Sequence, residues 1–209
     1  TVWMQYATSI TWATGIADIM ADFYRYAGID MVVADVSMGM LDMNIFTKVH
    51  RENIVRSILQ PVVDKGLYDY ILIDTNPSMS IVNQNAFLAS DAILLVSDVS
   101  MNAIEGAQLF IALWEEARKR LRREDNIKGF IVNDFDSRNK LSADYLEYLR
   151  TSPDTEDLRP ILFETVIPRN VRITESELAA VPISIYDLRS KGCDAIASLV
   201  DEMLARGVL

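Results

Sequence analysis

Four apolar runs, each long enough for one strand and each ending in Asp, Asn or Pro, constrain this sequence most. They are DYILID (69–74), DAILLVSD (91–98), IKGFIVND (127–134) and RPILFETVIP (159–168). The first three are nearly unbroken, as strands buried on both faces of a helix-covered parallel sheet should be. Between them the apolar spacing turns helical. Ile54, Ile58, Leu59 and Val62 predict a helix over 49–63, and another is expected over 78–89. Ile104, Ala107, Ile111, Trp114 and Leu121 predict a long amphipathic helix over 102–123. Helices follow at 141–150 and through Ile196, Leu199, Val200 and Met203, the last closed by Gly207. This alternation predicts an α/β fold, a mostly parallel sheet with helices on both faces.

The remaining segments are less regular. Residues 1–27 resist firm assignment, although Ile16, Ile19, Met20 and Phe23 suggest a helix over 14–27 with Gly28 as its stop. IDMVVAD predicts a strand over 29–34, TSPDTED (151–157) a surface loop, and ISIYD a short edge strand or loop. No repeat or low-complexity linker divides the chain, so 1–209 is expected to be a single domain.

Composition removes several function classes. The formal charge of −10 argues against a uniformly basic surface for DNA or membrane. Only five of the 20 Lys and Arg precede residue 100 (Arg25, Lys48, Arg51, Arg56, Lys65), so any basic patch belongs to the second half. A single cysteine, Cys193, excludes an internal disulfide and a multi-cysteine metal site, which suits a reducing cytoplasm. A single histidine, His50, excludes a His-rich metal centre. No apolar run approaches the roughly 20 residues of a membrane helix, and no signal peptide is expected.

Ligands of such sheets sit at the carboxyl ends of the strands. Asp74, Asp98, Asn133 with Asp134, and Pro168 occupy four such ends. Loop starts are rich in Asp, Asn and Pro for any one of them; the convergence of all four favours a site.

At these residues the chain resembles the ParA/MinD family of deviant-Walker ATPases, on its Soj-like side. YDYILIDTNPS resembles the family's Walker B block, usually ending DTPPS. NAFLASDAILLVSDVSMNAIEGAQLF resembles the strand, short Glu-Gly turn and long helix that follow. FETVIPRNVRITES and then VPISIYDLRSKGCDAIASLVDEML resemble the C-terminal signature. The match covers about Gly28 to Leu204. The resemblance implies a P-loop NTPase-like fold.

The departures are specific. The deviant Walker A loop, KGGxGKT, is absent from these 209 residues, and so is the family's first strand; ATGIADI, from Ala13, cannot replace them. Two expectations follow: a chain whose N-terminal part lies outside this numbering, which is favoured, or a degenerate homologue without ATP binding. Asn76 stands at the family's usual Pro, and Ala180 at its usual Gly.

By resemblance, Asp74 is the Walker B aspartate, orienting a water on the Mg²⁺ of bound ATP; otherwise it caps the next helix. Asn133 pairs with the adenine edge, and Pro168 and Arg169 flank base and ribose; the plain alternative is a turn and a solvated Arg. RKRLRR (118–123) ends the long helix, where cations suit the macrodipole without a partner. Arg118, Lys119 and Arg120, and separately Arg169, Arg172, Arg189 and Lys191, are the candidate DNA contacts. Glu105-Gly106 is expected to be a helix-entry feature near a dimer face. Ser78 and Ser80 start a helix, and Cys193 and Trp114 are core.

The expected function is thus a cytoplasmic, nucleoid-associated partition ATPase using ATP and Mg²⁺. It would form a homodimer, bind DNA without sequence preference and answer to a ParB-type partner. The alternative is a non-catalytic module that binds a partner or DNA without nucleotide. A MinD-like membrane positioner would carry a basic amphipathic tail, unlike the terminal ARGVL.

Overall fold

The computed structural model describes residues 3–4, 24–26, 29–32, 45, 49–76 and 78–209. The chain divides into two compact units, Thr1–Asp91 and Ala92–Leu209.

In the first unit, β1 (Trp3–Met4) runs parallel to β4 (Leu72–Ile73), with Trp3 opposite Leu72 and Met4 opposite Ile73. β2 (Tyr24–Tyr26) pairs antiparallel with β3 (Ile29–Met31). The helix expected over 14–27 therefore gives way to a strand at 24–26; its earlier part, 14–23, and Gly28 lie outside the described residues. Aromatic residues favour strands, and a β-branched partner run follows almost at once. β4 is shorter than the run 69–74, and Leu72 and Ile73 are half-buried rather than covered on both faces. Among the described residues its partner supplies two residues to the ladder, and Tyr68, just before the run, donates its hydroxyl to buried Asp30 (2.7 Å).

A 3-10 turn, Arg51–Asn53, leads into α1 (Ile54–Asp64), which buries Leu59 and Val62. Helix α2 (Ile81–Ala89) buries Ala86, Phe87 and Leu88. Asn85 fastens the two helices. Its Oδ1 accepts from Val55 N (3.2 Å), and its Nδ2 donates to Arg51 O (2.7 Å) and Ile81 O (2.8 Å). A buried amide needs such partners, because leaving them unmade costs more than the bonds themselves contribute.

In the second unit, β5 (Ile93–Ser97) and β6 (Ile127–Val132) are parallel, and β6 feeds two cores. Phe130 and Val132 pack with Ile104 of α3 (Met101–Arg120) and with Tyr145 and Leu149 of α4 (Lys140–Thr151). Ile131 packs on the other side with Phe163, Ile167, and Leu199 and Met203 of α7 (Lys191–Ala205). Successive strand residues point to opposite faces, so one strand seats helices on both. Gly129 permits this closeness: a Cβ there would collide with the Phe163 ring and lie 2.6 Å from Leu94 Cδ2. β5 departs from the expectation of cover on both faces, since Val96 is 65% exposed.

Residues 159–168 do not form the expected strand. Arg159–Ile161 is a 3-10 turn, and only isolated parallel bridges follow, Phe130 with Leu162 and Phe135 with Pro168. Pro160 has no N–H to give. The N–H groups of Glu164 and Thr165 instead donate to the Glu202 carboxylate at 2.9 Å each. TSPDTED is likewise more than a surface loop. It contains a 3-10 turn, Pro153–Thr155, pinned by the buried Thr155 hydroxyl to Leu149 O (3.0 Å). ISIYD is neither strand nor loop: α6 (Ile183–Tyr186) is a short helix entered through Pro182. Its partner α5 (Val171–Leu178) follows the Asn170 cap. Side-chain caps also start α2, α3, α4 and α7: Ser80, Ser100, Asn139 and Ser190 each accept from a first-turn N–H.

Candidate nucleotide and nucleic-acid site

Asp74 is exposed and directly follows β4, at the carboxyl end of a parallel strand. The chain then turns into α2 through Asn76, Ser78, Met79 and the cap Ser80, whose Oγ accepts from Asn83 N (3.2 Å). Asn83, which sequence reasoning missed, is buried beneath this turn. In the sequence it is the first of three consecutive amides, Asn83, Gln84 and Asn85, and nothing marks it out from the other two.

In the second unit, Asn133 is exposed one residue beyond β6, held by its N–H to Ser97 O (2.7 Å). Asp134 follows at φ 54°, a left-handed conformation that Asp tolerates better than most residues. Its carboxylate takes Arg169 in a two-pronged pair, Nε to Oδ1 at 2.9 Å and Nη2 to Oδ2 at 2.6 Å. That hydrogen bonding holds the Asp134 carboxyl below its usual range and raises the Arg169 guanidinium. The Phe135–Pro168 bridge and the bond from Arg169 N to Phe135 O (2.9 Å) complete the junction. Asn133, Pro168 and Arg169 thus meet at one strand end, although Arg169 is already engaged by Asp134.

The basic candidates fall in two places. At the end of α3, Arg118 and Lys119 both pair with Glu115, whose carboxyl is lowered chiefly by the Lys119 hydrogen bond. Arg120 is exposed beside them. Near α5–α7, Arg172 pairs with Glu175 (2.6 Å) and meets Asp187 (3.4 Å), two residues before Arg189. Arg189 and Lys191 are exposed. Gly106 lies in the first turns of α3 with open space where a Cβ would go.

No group of three or more His, Cys, Asp or Glu that could hold a metal exists among the described residues. Mg²⁺ commonly takes one or two carboxylates and completes its shell with water and phosphate oxygens. Asp74 fits a carboxylate reaching such an ion through water; it does not fit its sole holder.

Parallel strands between helix layers, with carboxylate and amide groups at their carboxyl ends, define a P-loop NTPase-like α/β fold. The solved structures agree: a Cyanothece McdA variant in complex with ATP superposes with a TM-score of 0.75 at 14% identity, over 98% of this chain and 84% of that one. The family model described as AAA domain matches residues 8–127. The chromosome partitioning protein ParA of Caulobacter vibrioides is 28% identical over 86% of this chain. The sporulation initiation inhibitor protein Soj of Bacillus subtilis is 29% identical over 86% of this chain and 68% of its own length. The chain belongs to the ParA/Soj/MinD-type family of deviant-Walker ATPases. It spans 65% of the length of the Caulobacter protein.

Proposed function

We propose that the chain is the Walker B-bearing part of a partition ATPase that segregates DNA. The observation that carries this reading is Asp74, exposed at the carboxyl end of a parallel strand within the residues the family model matches. In this reading ATP and Mg²⁺ are the cofactors, and the magnesium supplies charge neutralisation at the phosphates. Asp74 contributes a carboxylate toward that ion's water, while Asn133, Pro168 and Arg169 border the base and ribose. Nucleotide-dependent homodimerisation, non-specific DNA binding, a ParB-type partner and a cytoplasmic location belong to the same proposal. Among the described residues no helix is long and apolar enough to cross a membrane.

The test is ATP hydrolysis by the protein in its natural full length. Asp74→Ala should abolish it while leaving the fold intact by circular dichroism; hydrolysis at the unaltered rate would sink the assignment of Asp74. The second reading is a module that binds a partner or DNA without nucleotide. Calorimetric titration of the 209-residue chain with Mg-ATP separates the two: measurable binding excludes the nucleotide-free module.

A further inference from the structure

The turn after Asp74 is tied down by a polar cluster in which the buried Asn83 holds the exposed Asn76 and Ser78. Asn83 is 3% exposed, and its Nδ2 reaches four oxygens: Asn76 O (2.8 Å), Asn76 Oδ1 (2.6 Å), Ser78 O (2.9 Å) and Ser78 Oγ (3.0 Å). Two N–H bonds are thus shared among four acceptors. Ser78 Oγ donates to Asn76 Oδ1 (2.7 Å), and Ser78 N to Asn76 O (2.8 Å). Beside it, Gln84 Nε2 donates to Met79 O (2.9 Å). The carbonyls of Asn76, Ser78 and Met79 are therefore all held by amides from the first turn of α2.

We propose that Asn83, acting through Asn76 and Ser78, is a positioning residue that fixes the direction of the Asp74 carboxylate. This rests on the reading of Asp74 given above. β4 is only two residues long, so its ladder alone gives the following residue little angular definition. A site carboxylate needs its support locked by packing and hydrogen bonds. Here the support is Asn76, two residues on, gripped at both backbone and side chain. The cluster also accounts for Asn76: its amide, which a proline would lack, is the acceptor shared by Ser78 and Asn83.

The test is Asn83→Asp, which keeps the shape but replaces Nδ2 and its two N–H donors with one oxygen facing four oxygens; Asn83→Leu is the second variant. In the nucleotide-free protein, exchange of the Ser78 amide, whose N–H is bonded to Asn76 O, should accelerate at least about tenfold in both, while α1 exchanges as before. In ATP hydrolysis, the magnesium concentration for half-maximal rate should rise roughly tenfold or more, the scale of lost support around a metal. Lost stability alone lowers the amount of active protein but leaves that concentration unmoved. Unchanged exchange at Ser78 overturns the cluster. Faster exchange with an unmoved magnesium dependence overturns the positioning role and leaves a folding role. A natural protein that hydrolyses no ATP overturns the function and the positioning together, while the exchange result still decides the cluster.

Discussion

Gly129 shows how much one missing methyl group can decide. Phe163 is fully buried against it and Leu94 closes the other side, so a Cβ has nowhere to go. Gly129→Ala should destabilise the second unit by about 1–3 kcal/mol, the usual cost of overfilling a packed core. Urea unfolding reads this directly, and an unchanged midpoint would mean that the ring moves freely. At the same scale, Asp74, Asn133, Asp134 and Pro168 could be picked out from strand ends in the sequence. Asn83 could not, nor could the pairing of Asp134 with Arg169: both depend on partners that only folding supplies.

Elements depend on more than their own pattern. The helices were legible from apolar spacing, joined at Ser80 by a Ser cap; the caps at Ser100 and Ser190 emerge only in the structure. Residues 159–168 misled because an apolar run says nothing of where its N–H groups go. Glu202 of α7 captures two of them. Burial pushes the Glu202 carboxyl upward, but the N–H groups of Glu164 and Thr165, the Thr165 side chain and Arg206 together bring it below its ordinary value. A depressed folded pKa contributes stability that is present above the unfolded value, about 4.3, and is lost as pH falls through the folded one. Glu202→Gln sets an amide against one of those N–H groups and should cost about 1–3 kcal/mol at neutral pH. The gap between wild type and variant should narrow below about pH 4, measured by urea midpoints across pH. A gap constant with pH would remove the charge from the explanation.

Across the whole molecule, a net charge of −10 leaves room only for local basic surfaces. Composition placed those in the second half but could not separate the two groups, because pairing depends on geometry. Glu115 engages both Arg118 and Lys119 at the end of α3, whereas Arg189 and Lys191 stand exposed at the entry to α7. If DNA is bound through the second group, Arg189→Ala with Lys191→Ala should weaken it. The salt slope of log affinity should become shallower by about 0.9 for each phosphate that is no longer neutralised. The same pair of changes at Arg118 and Lys119 should do less. Fluorescence anisotropy on a random duplex at several salt concentrations makes the comparison, and equal weakening by the two pairs would erase the distinction.

The crowding around Gly129 also bears on how this sequence can drift. Residue 163 would have to shrink, and Leu94 swing aside, before position 129 could accept any side chain. The reverse order passes through a damaged intermediate. Two sites 34 positions apart along the chain are therefore expected to change in a preferred sequence of steps, and relatives with a larger residue at the equivalent of 129 should carry a smaller one opposite it.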